Sequence, residues 1–238
     1  MNLKTQIKKY FWKIGLDISR FESCPTGRRK ALLKSYNIGL VLDIGANSGQ
    51  FSEEIRNDIG YTGDIISFEP LSLEFKSLER KANKDKKWRA INCAIGNIEG
   101  RSKINISRSS CSSSILNMLD AHKKSAPGTD YVGKEMIDIK TLDSVMDDLS
   151  INEPNIYLKV DTQGYESRVL KGAELSLERI DTIQLEMALI PLYQDEMLFN
   201  DMCNLLYSKG YILVSIEPVF GDEASGQLLQ VDGIFHRF

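Results

Sequence analysis

The sequence predicts an α/β fold, with a mostly parallel β-sheet covered by helices on both faces. Three observations lead to this prediction. Apolar, strand-like runs alternate with helical segments along most of the 238 residues, as they do in βαβ units. The first two such strands end in acidic residues, Asp43 and Glu69. The last two strands are joined by so short a turn that they are expected to pair antiparallel.

The elements of the first half follow one another at βαβ spacing. Residues 39–45 predict a buried strand, and a helical pattern follows at 50–58. A second strand is expected at 64–70, a second helix at 73–83 and a third strand at 88–96. This βαβαβ order implies parallel strands with helices on the faces of the sheet.

The middle of the chain is less regular. Residues 103–107 predict an added strand, and residues 109–131 predict a long loop with one helical turn. Loops of that length in a compact domain are commonly functional or disordered. Alternation then returns, with strands expected at 135–140, 155–161, 182–187, 211–218 and 228–238, and helices at 142–149, 165–180 and 196–210.

Length and composition indicate a single cytoplasmic domain. We assign residues 39–238 to this domain and residues 1–38 to an N-terminal helical appendage. The net charge of −3, from 30 basic and 33 acidic residues, argues against a nucleic-acid partner. Basic clusters at 27–30 and 80–89 are expected to be solvated. The four cysteines lie too far apart for a zinc site, and no signal-peptide core is seen, so a reducing cytoplasm is expected.

Residues 1–18 have the pattern of an amphipathic helix. Apolar residues recur at helical spacing at Leu3, Ile7, Phe11, Ile14 and Ile18. Four lysines lie on the other faces of this helix: Lys4, Lys8, Lys9 and Lys13. We expect this helix to pack on the domain, and the alternative is weak peripheral contact with anionic lipid.

A glycine-containing turn after the first strand predicts a nucleoside site. Gly45 and Gly49 lie between this strand and the next helix, where glycines let the backbone approach a ligand closely. The turn is not the dinucleotide fingerprint, because Ala46 and Asn47 intervene where a second glycine belongs. It is not a P-loop either, because no Gly-Lys-Ser/Thr follows. Glu69, at the end of the second strand, can accept hydrogen bonds from both hydroxyls of a ribose.

Several motifs together resemble the FkbM family of class I S-adenosylmethionine-dependent methyltransferases. In chain order they are LDIGANSGQF, ISFEP, AIGN, SSSIL, KTLDSV, LKVDTQGYESRVLKGA and IQLEM, and the resemblance extends over about residues 40–238. It implies a Rossmann-like, seven-stranded sheet with an antiparallel C-terminal strand. It also implies S-adenosyl-L-methionine as cofactor and O-methylation of a sugar, glycan or glycosylated metabolite, as in polysaccharide biosynthesis.

The resemblance places cofactor-binding residues at successive strand ends. The expected residues are Asp43, Gly45, Ala46, Asn47 and Gly49 by the methionine part, Glu69 and Pro70 at the ribose, Cys93, Ala94 and Ile95 at the adenine, and Asp161 beside the methyl donor.

Three residues are candidates for the general base toward an acceptor hydroxyl. Asp161 closes the strand expected beside the methyl donor, although an aspartate before a Gly-containing turn also serves as a helix cap or turn residue. Glu186 lies late in an apolar strand, where an acid needs a partner or a water-filled cleft; the alternative is a surface carboxylate. Histidine side chains titrate near neutral pH, but His122 lies beside two lysines in the polar loop, where we expect its side chain to be solvated.

The expected acceptor-binding residues are Ser113, Ser114 and Gln163, although the serines also suit a flexible loop. Family members often read DVEG where this chain reads DTQG, so Gln163 replaces a carboxylate and can hydrogen-bond but cannot act as a base. Asp161 and Glu186 supply too few oxygen ligands for a metal site, so none is expected.

Two other classes of function stay open at this point. One is a NAD-dependent oxidoreductase or epimerase of nucleotide sugars, against which the missing middle glycine argues. The other is a non-catalytic nucleoside-binding protein that associates with a membrane through residues 1–18.

Overall fold

A computed structural model describes residues 3–238, and side chains from residue 4 onward. The strands of this part of the chain are β1 Leu40–Ile44, β2 Asp64–Phe68, β3 Trp88–Ile91, β4 Ala94–Ile95, β5 Gly100–Ser107, β6 Tyr131–Lys140, β7 Ile156–Val160, β8 Ile180–Ala188, β9 Ile212–Asp222 and β10 Gln227–His236. The helices are α1 Leu3–Trp12, α2 Pro25–Ser35, α3 Gln50–Glu54, α4 Ser72–Ala82, α5 Asp120–Ser125, α6 Leu142–Asp148, α7 Glu166–Lys171 and α8 Phe199–Ser208. A π-helical turn, Ile55–Ile59, continues α3.

The main sheet has seven strands in the order β3-β2-β1-β7-β8-β10-β9. The first five of these strands are parallel to one another, and β10 is antiparallel to both β8 and β9. β1 and β7 form the centre of the sheet, and all five residues of each are buried. The predicted fold class, with its antiparallel C-terminal strand, is therefore confirmed.

Helices cover both faces of the sheet, as the sequence predicts. On one face α6, α7 and α8 pack on the sheet through buried side chains that include Leu142, Val169 and Leu206. On the other face α2 and α4 pack through Leu33 and Leu78. The two apolar layers hold the strand ends, and hence the site described below, in fixed register.

A second sheet of three strands, β4-β6-β5, was not expected from the sequence. The predicted strand at 88–96 ends at Ile91, because the Asn92 side chain donates hydrogen bonds to the carbonyl oxygens of Glu69 and Pro70 and turns the chain. Ala94 and Ile95 then pair with β6 instead of β2. The predicted strands at 103–107 and 135–140 are longer than expected and pair antiparallel with each other.

The two N-terminal helices differ in their packing. α2 packs on the sheet, and both Arg29 and Leu33 are buried. The apolar side chains of α1 are instead largely exposed, Ile7 and Tyr10 among them, so the expected packing of this helix on the domain is not seen. Within residues 3–238 no helix has the length and apolar character needed to cross a membrane.

Candidate active site

A cavity of about 370 Å³ opens at the carboxyl ends of β1, β2 and β7. β1 lies between β2 and β7, so the cavity is at the point where the strand order reverses. Open α/β sheets bind ligands at this switch point, and a cavity of this volume accommodates a small molecule.

Gly45 begins the loop at one wall of the cavity. Its φ of +77° suits glycine, and a Cβ at this position would lie 1.8 Å from the main-chain oxygen of Asp161. Ala46 and Asn47 line the cavity after it. Gly49 has a φ of +90° and does not line the cavity, because it packs against Leu78 and Trp88.

Glu69 lies in the cavity wall at the end of β2. Its Oε2 accepts a hydrogen bond from the Asn47 main-chain N–H at 2.8 Å, and its Oε1 accepts one from the Leu71 N–H at 2.8 Å. Burial raises the pKa of Glu69 to about 7. Each carboxylate oxygen can accept a second hydrogen bond, as a ribose with two hydroxyls requires.

An apolar part of the cavity lies beyond Glu69. The expected adenine-side residues Cys93, Ala94 and Ile95 all line it, together with Pro70. Further apolar residues of this part are Leu71, Ile104 and Ile115. The second sheet therefore contributes β4 and β5 to the wall, a contribution that the predicted single strand at 88–96 did not include.

Asp43 lies beneath the cavity and does not line it. Its side chain is completely buried, and its Oδ2 accepts hydrogen bonds from the hydroxyls of Ser52 at 2.9 Å and Ser67 at 3.4 Å. Burial raises the pKa of Asp43. The structure thus places Asp43 as a support for the loop and for its neighbour Lys159, whose Nζ is 3.8 Å from Asp43 Oδ1.

Asp161 and Lys159 form an ion pair in the wall between the glycine loop and β7. Lys159 Nζ lies 3.1 Å from Asp161 Oδ2, and both residues line the cavity. Burial alone lowers the pKa of Lys159, but the carboxylates of Asp161 and Asp43 raise it above its ordinary value. The Asp161 side chain keeps 35% of its surface exposed, so a ligand in the cavity can reach it.

Gln163 connects Asp161 with two buried residues behind the cavity. Its Nε2 donates to Asp161 Oδ1 at 2.9 Å and to Glu186 Oε2 at 2.6 Å, and its Oε1 accepts from the Tyr193 hydroxyl at 2.8 Å. Glu186 does not line the cavity, and burial together with the carboxylates of Asp161 and Glu166 raises its pKa well above its ordinary value. Glu186 is therefore a buried partner of Gln163, not the surface carboxylate of the alternative interpretation.

His122 and the two serines lie at different depths. His122 is buried behind Tyr193, with Nε2 3.3 Å from the Tyr193 hydroxyl, so its expected solvation is wrong and it does not line the cavity. Ser113 lines the cavity. Ser114 is buried and donates a hydrogen bond to the main-chain oxygen of Gln163 at 2.7 Å.

Among residues 3–238 no three His, Cys, Asp or Glu side chains are grouped to hold a metal ion.

A polar wall at the far end of the cavity was missed from the sequence. It consists of Arg29, Glu54, Gln184 and Asp232, beside the ring of Phe51. Arg29 belongs to the basic cluster at 27–30, which was expected to be solvated. It is instead buried, and its guanidinium donates to Glu54 at 2.9 Å and to Glu217 at 2.7 Å. The only sequence signal was the presence of polar residues within apolar elements, such as Gln184 in β8.

The strand order, the glycine loop after β1 and the acid after β2 define a Rossmann-like methyltransferase fold with a nucleoside-type cavity. Residues 43–213 match the model of the methyltransferase FkbM domain, and the chain belongs to that family.

One solved structure with a TM-score above 0.5 agrees with this fold. The methyltransferase FkbM from Methylobacillus flagellatus KT is 14% identical with a TM-score of 0.55, and the match covers 95% of this chain and 50% of that one. The present chain thus spans half the length of that relative. A SAM-dependent methyltransferase from Aquifex aeolicus is 14% identical with a TM-score of 0.43, covering 98% of this chain and 99% of that one. A comparison with curated proteins gave no match.

Proposed function

We propose that this protein is an S-adenosylmethionine-dependent O-methyltransferase that acts on a hydroxyl of a sugar, a glycan or a glycosylated metabolite. The observation that carries the proposal is the position of the Asp161 carboxylate, which lines the same cavity as the glycine loop and Glu69. The alternative of a NAD-dependent enzyme has less support, because Ala46 and Asn47 replace the middle glycine of the dinucleotide fingerprint.

The residues present fit this cofactor. Gly45 lets the loop after β1 lie directly against the Asp161 main chain, Glu69 can accept hydrogen bonds from a ribose, and the wall beyond it is apolar, as adenine requires. When bound, S-adenosylmethionine supplies a methyl group already activated on a sulfonium. The protein then has chiefly to orient the acceptor, a contribution of about 7–11 kcal/mol in favourable cases.

Asp161 is the residue best placed to act on an acceptor hydroxyl. Its Oδ1 and Oδ2 accept hydrogen bonds from Gln163 and Lys159, which fix the carboxylate, and each oxygen can accept one more. In this proposal an oxygen of Asp161 holds the acceptor hydroxyl and takes its proton, a step that typically contributes about 10²- to 10⁴-fold. Gln163 and Lys159 are positioning residues for this carboxylate.

The far polar wall supports a neutral, polyhydroxylated acceptor. Glu54 and Asp232 present carboxylates, and Gln184 presents an amide that donates to Asp232 Oδ2 at 2.6 Å. The Phe51 ring lines the same wall, with the Arg29 guanidinium 5.4 Å and the Lys159 Nζ 5.2 Å from its centre. The two cations at this end of the cavity are already paired, Arg29 with Glu54 and Glu217 and Lys159 with Asp161. An acceptor with phosphate or carboxylate groups at this end would meet like charge.

The test is transfer of labelled methyl groups from S-adenosylmethionine into cell-envelope and polysaccharide extracts. Asp161→Asn should lower incorporation by at least about 100-fold, because it removes the base. It should change cofactor affinity, measured by isothermal titration, only a few-fold. Asp138→Asn, at an exposed carboxylate, is the matched control and should leave incorporation unchanged. Undiminished product from Asp161→Asn would remove Asp161 from catalysis, and nicotinamide binding without S-adenosylmethionine binding would overturn the proposal.

A further inference from the structure

Residues 7–21 form an exposed surface that the proposed function does not use. Its large apolar side chains are Ile7, Tyr10, Trp12, Ile14, Leu16, Ile18 and Phe21, each about half exposed or more. Elsewhere in the described part of the chain exposed apolar residues occur singly or in smaller groups, as at Leu73 or at Ile212, Ile216 and Val219. A concentration of this kind is typical of an interaction surface. We call it the N-terminal surface.

The N-terminal surface is held in a defined shape. The Trp12 indole N–H donates to Asp17 Oδ1 at 2.7 Å, and the Leu16 main-chain N–H donates to the Phe11 oxygen at 2.9 Å. Lys8 Nζ lies 5.6 Å from the centre of the Trp12 ring and 3.3 Å from Asp17. The chain after α1 is thereby folded back, so that the apolar residues of α1 and of residues 14–18 belong to one local structure.

The charge of the N-terminal surface is opposite to that of the whole chain. Residues 4–20 contain five basic residues and one acidic residue, whereas the chain has 30 basic and 33 acidic residues in all. Apolar and aromatic side chains next to lysines match the interface of an anionic lipid bilayer, where the rings enter the headgroup region and the cations meet phosphate. A symmetric contact with a second copy would instead place like charges face to face.

We propose that the N-terminal surface binds anionic lipid membranes peripherally, with Ile7, Tyr10 and Trp12 in the interface. α2 begins four residues after Phe21 and carries Arg29 of the polar wall, so the attachment lies close in sequence to the acceptor end of the cavity. The proposal does not depend on the chemistry of the cavity, since none of the residues of the N-terminal surface lines it.

The test is co-sedimentation of the full chain with vesicles of phosphatidylcholine, with and without about one third phosphatidylglycerol. Binding should be at least about tenfold stronger to the anionic vesicles, and raising the salt from about 0.1 M to about 0.5 M should weaken it. Trp12 is 54% exposed and Trp88 is buried, so the emission of Trp12 should shift to the blue on binding, and Trp12→Phe should abolish the shift.

The variant Ile7→Asp with Tyr10→Asp should lose at least about tenfold in vesicle affinity, because both side chains are exposed and would enter the interface. Leu73→Asp with Leu175→Asp, at residues 75% and 69% exposed, is the matched control and should bind vesicles like the unaltered protein. Equal loss in both variants, equal binding to neutral and anionic vesicles, or no binding would overturn the proposal. Self-association that Ile7→Asp with Tyr10→Asp abolishes, without vesicle binding, would assign the surface to a second copy and also overturn it.

Discussion

Gly45→Ala and Gly60→Ala form a matched pair that tests how the active-site wall is built. Both glycines have a φ of +77°, so an alanine meets the same left-handed strain at either position, about 1–2 kcal/mol. At Gly60 a Cβ would meet no neighbouring heavy atom within 4 Å, whereas at Gly45 it would lie 1.8 Å from the main-chain oxygen of Asp161. Only Gly45→Ala therefore forces β1 and β7 apart.

The difference in stability between the two variants follows from the contact of the added Cβ at position 45 with the Asp161 oxygen. A carbon and an oxygen that are not bonded need roughly 3 Å, so the ends of the two strands must separate by about 1 Å. Both strands are completely buried, and overpacking of this kind costs about 1–3 kcal/mol. We expect Gly60→Ala to lose about 1–2 kcal/mol of unfolding free energy and Gly45→Ala about 2–5 kcal/mol.

Urea unfolding measures the stability of both variants, and isothermal titration measures their affinity for S-adenosylmethionine. Gly45→Ala should lose at least about tenfold in affinity, because the loop and Asp161 move together, while Gly60→Ala should stay within about twofold. Equal loss of stability in the two variants would refute the inferred contact. Unchanged cofactor affinity in a destabilised Gly45→Ala would show that the loop does not hold the cofactor.

Three further predictions concern buried charge. Glu69→Gln should gain stability relative to the unaltered protein as pH rises from about 5 to about 8, by up to about 3 kcal/mol. The reason is that the pKa of Glu69 in the folded protein, about 7, lies above its value in the unfolded chain, so ionisation of Glu69 opposes folding. Urea unfolding at several pH values checks this. Gln163→Glu should destabilise the protein more at pH 8 than at pH 5, by about 2 kcal/mol or more in the same assay. The reason is that it replaces the amide that donates a hydrogen bond to Glu186 with a second carboxyl group. Equal losses of stability at both pH values would contradict this. Arg29→Met should lower the free energy of unfolding by about 3–5 kcal/mol, because it leaves Glu217 buried and unpaired. Adding Glu217→Gln should recover part of this loss, as measured by thermal unfolding. If the effects of the two substitutions simply add, the pairing is contradicted.

The main sheet and the part of the cavity around the glycine loop and Glu69 could be predicted from the sequence, because their signals are local. A buried strand, a glycine turn and an acid at the next strand end are each visible within a few residues, and Gly45 and Glu69 lie where they were expected. Asp43 was also recognised, but a local pattern does not tell whether a carboxylate at a strand end faces a ligand or the layer beneath. Here the Asp43 carboxylate faces the layer beneath, where the hydroxyls of Ser52 and Ser67 donate hydrogen bonds to its Oδ2.

The second sheet and the polar wall could not be predicted, because they depend on contacts between distant segments. The break after Ile91 follows from hydrogen bonds of one side chain, Asn92, to the carbonyls of Glu69 and Pro70. Arg29 looked like part of a solvated basic cluster, since its partner Glu217 lies 188 positions away. His122 was expected in water for a similar reason, because nothing near it in the sequence indicates that Tyr193 covers it.

The pairing of Arg29 with Glu217 has a consequence for the order in which the site is completed. The residues around the glycine loop, from Gly45 to Asp161, are all present once position 161 has been made. The polar wall needs both α2 and the hairpin of β9 and β10, which brings Glu217 and Asp232 to Arg29. During synthesis, closing so long a loop must follow translation of the hairpin. The growing chain therefore completes the polar wall only after the glycine loop, Glu69 and Asp161 have been made.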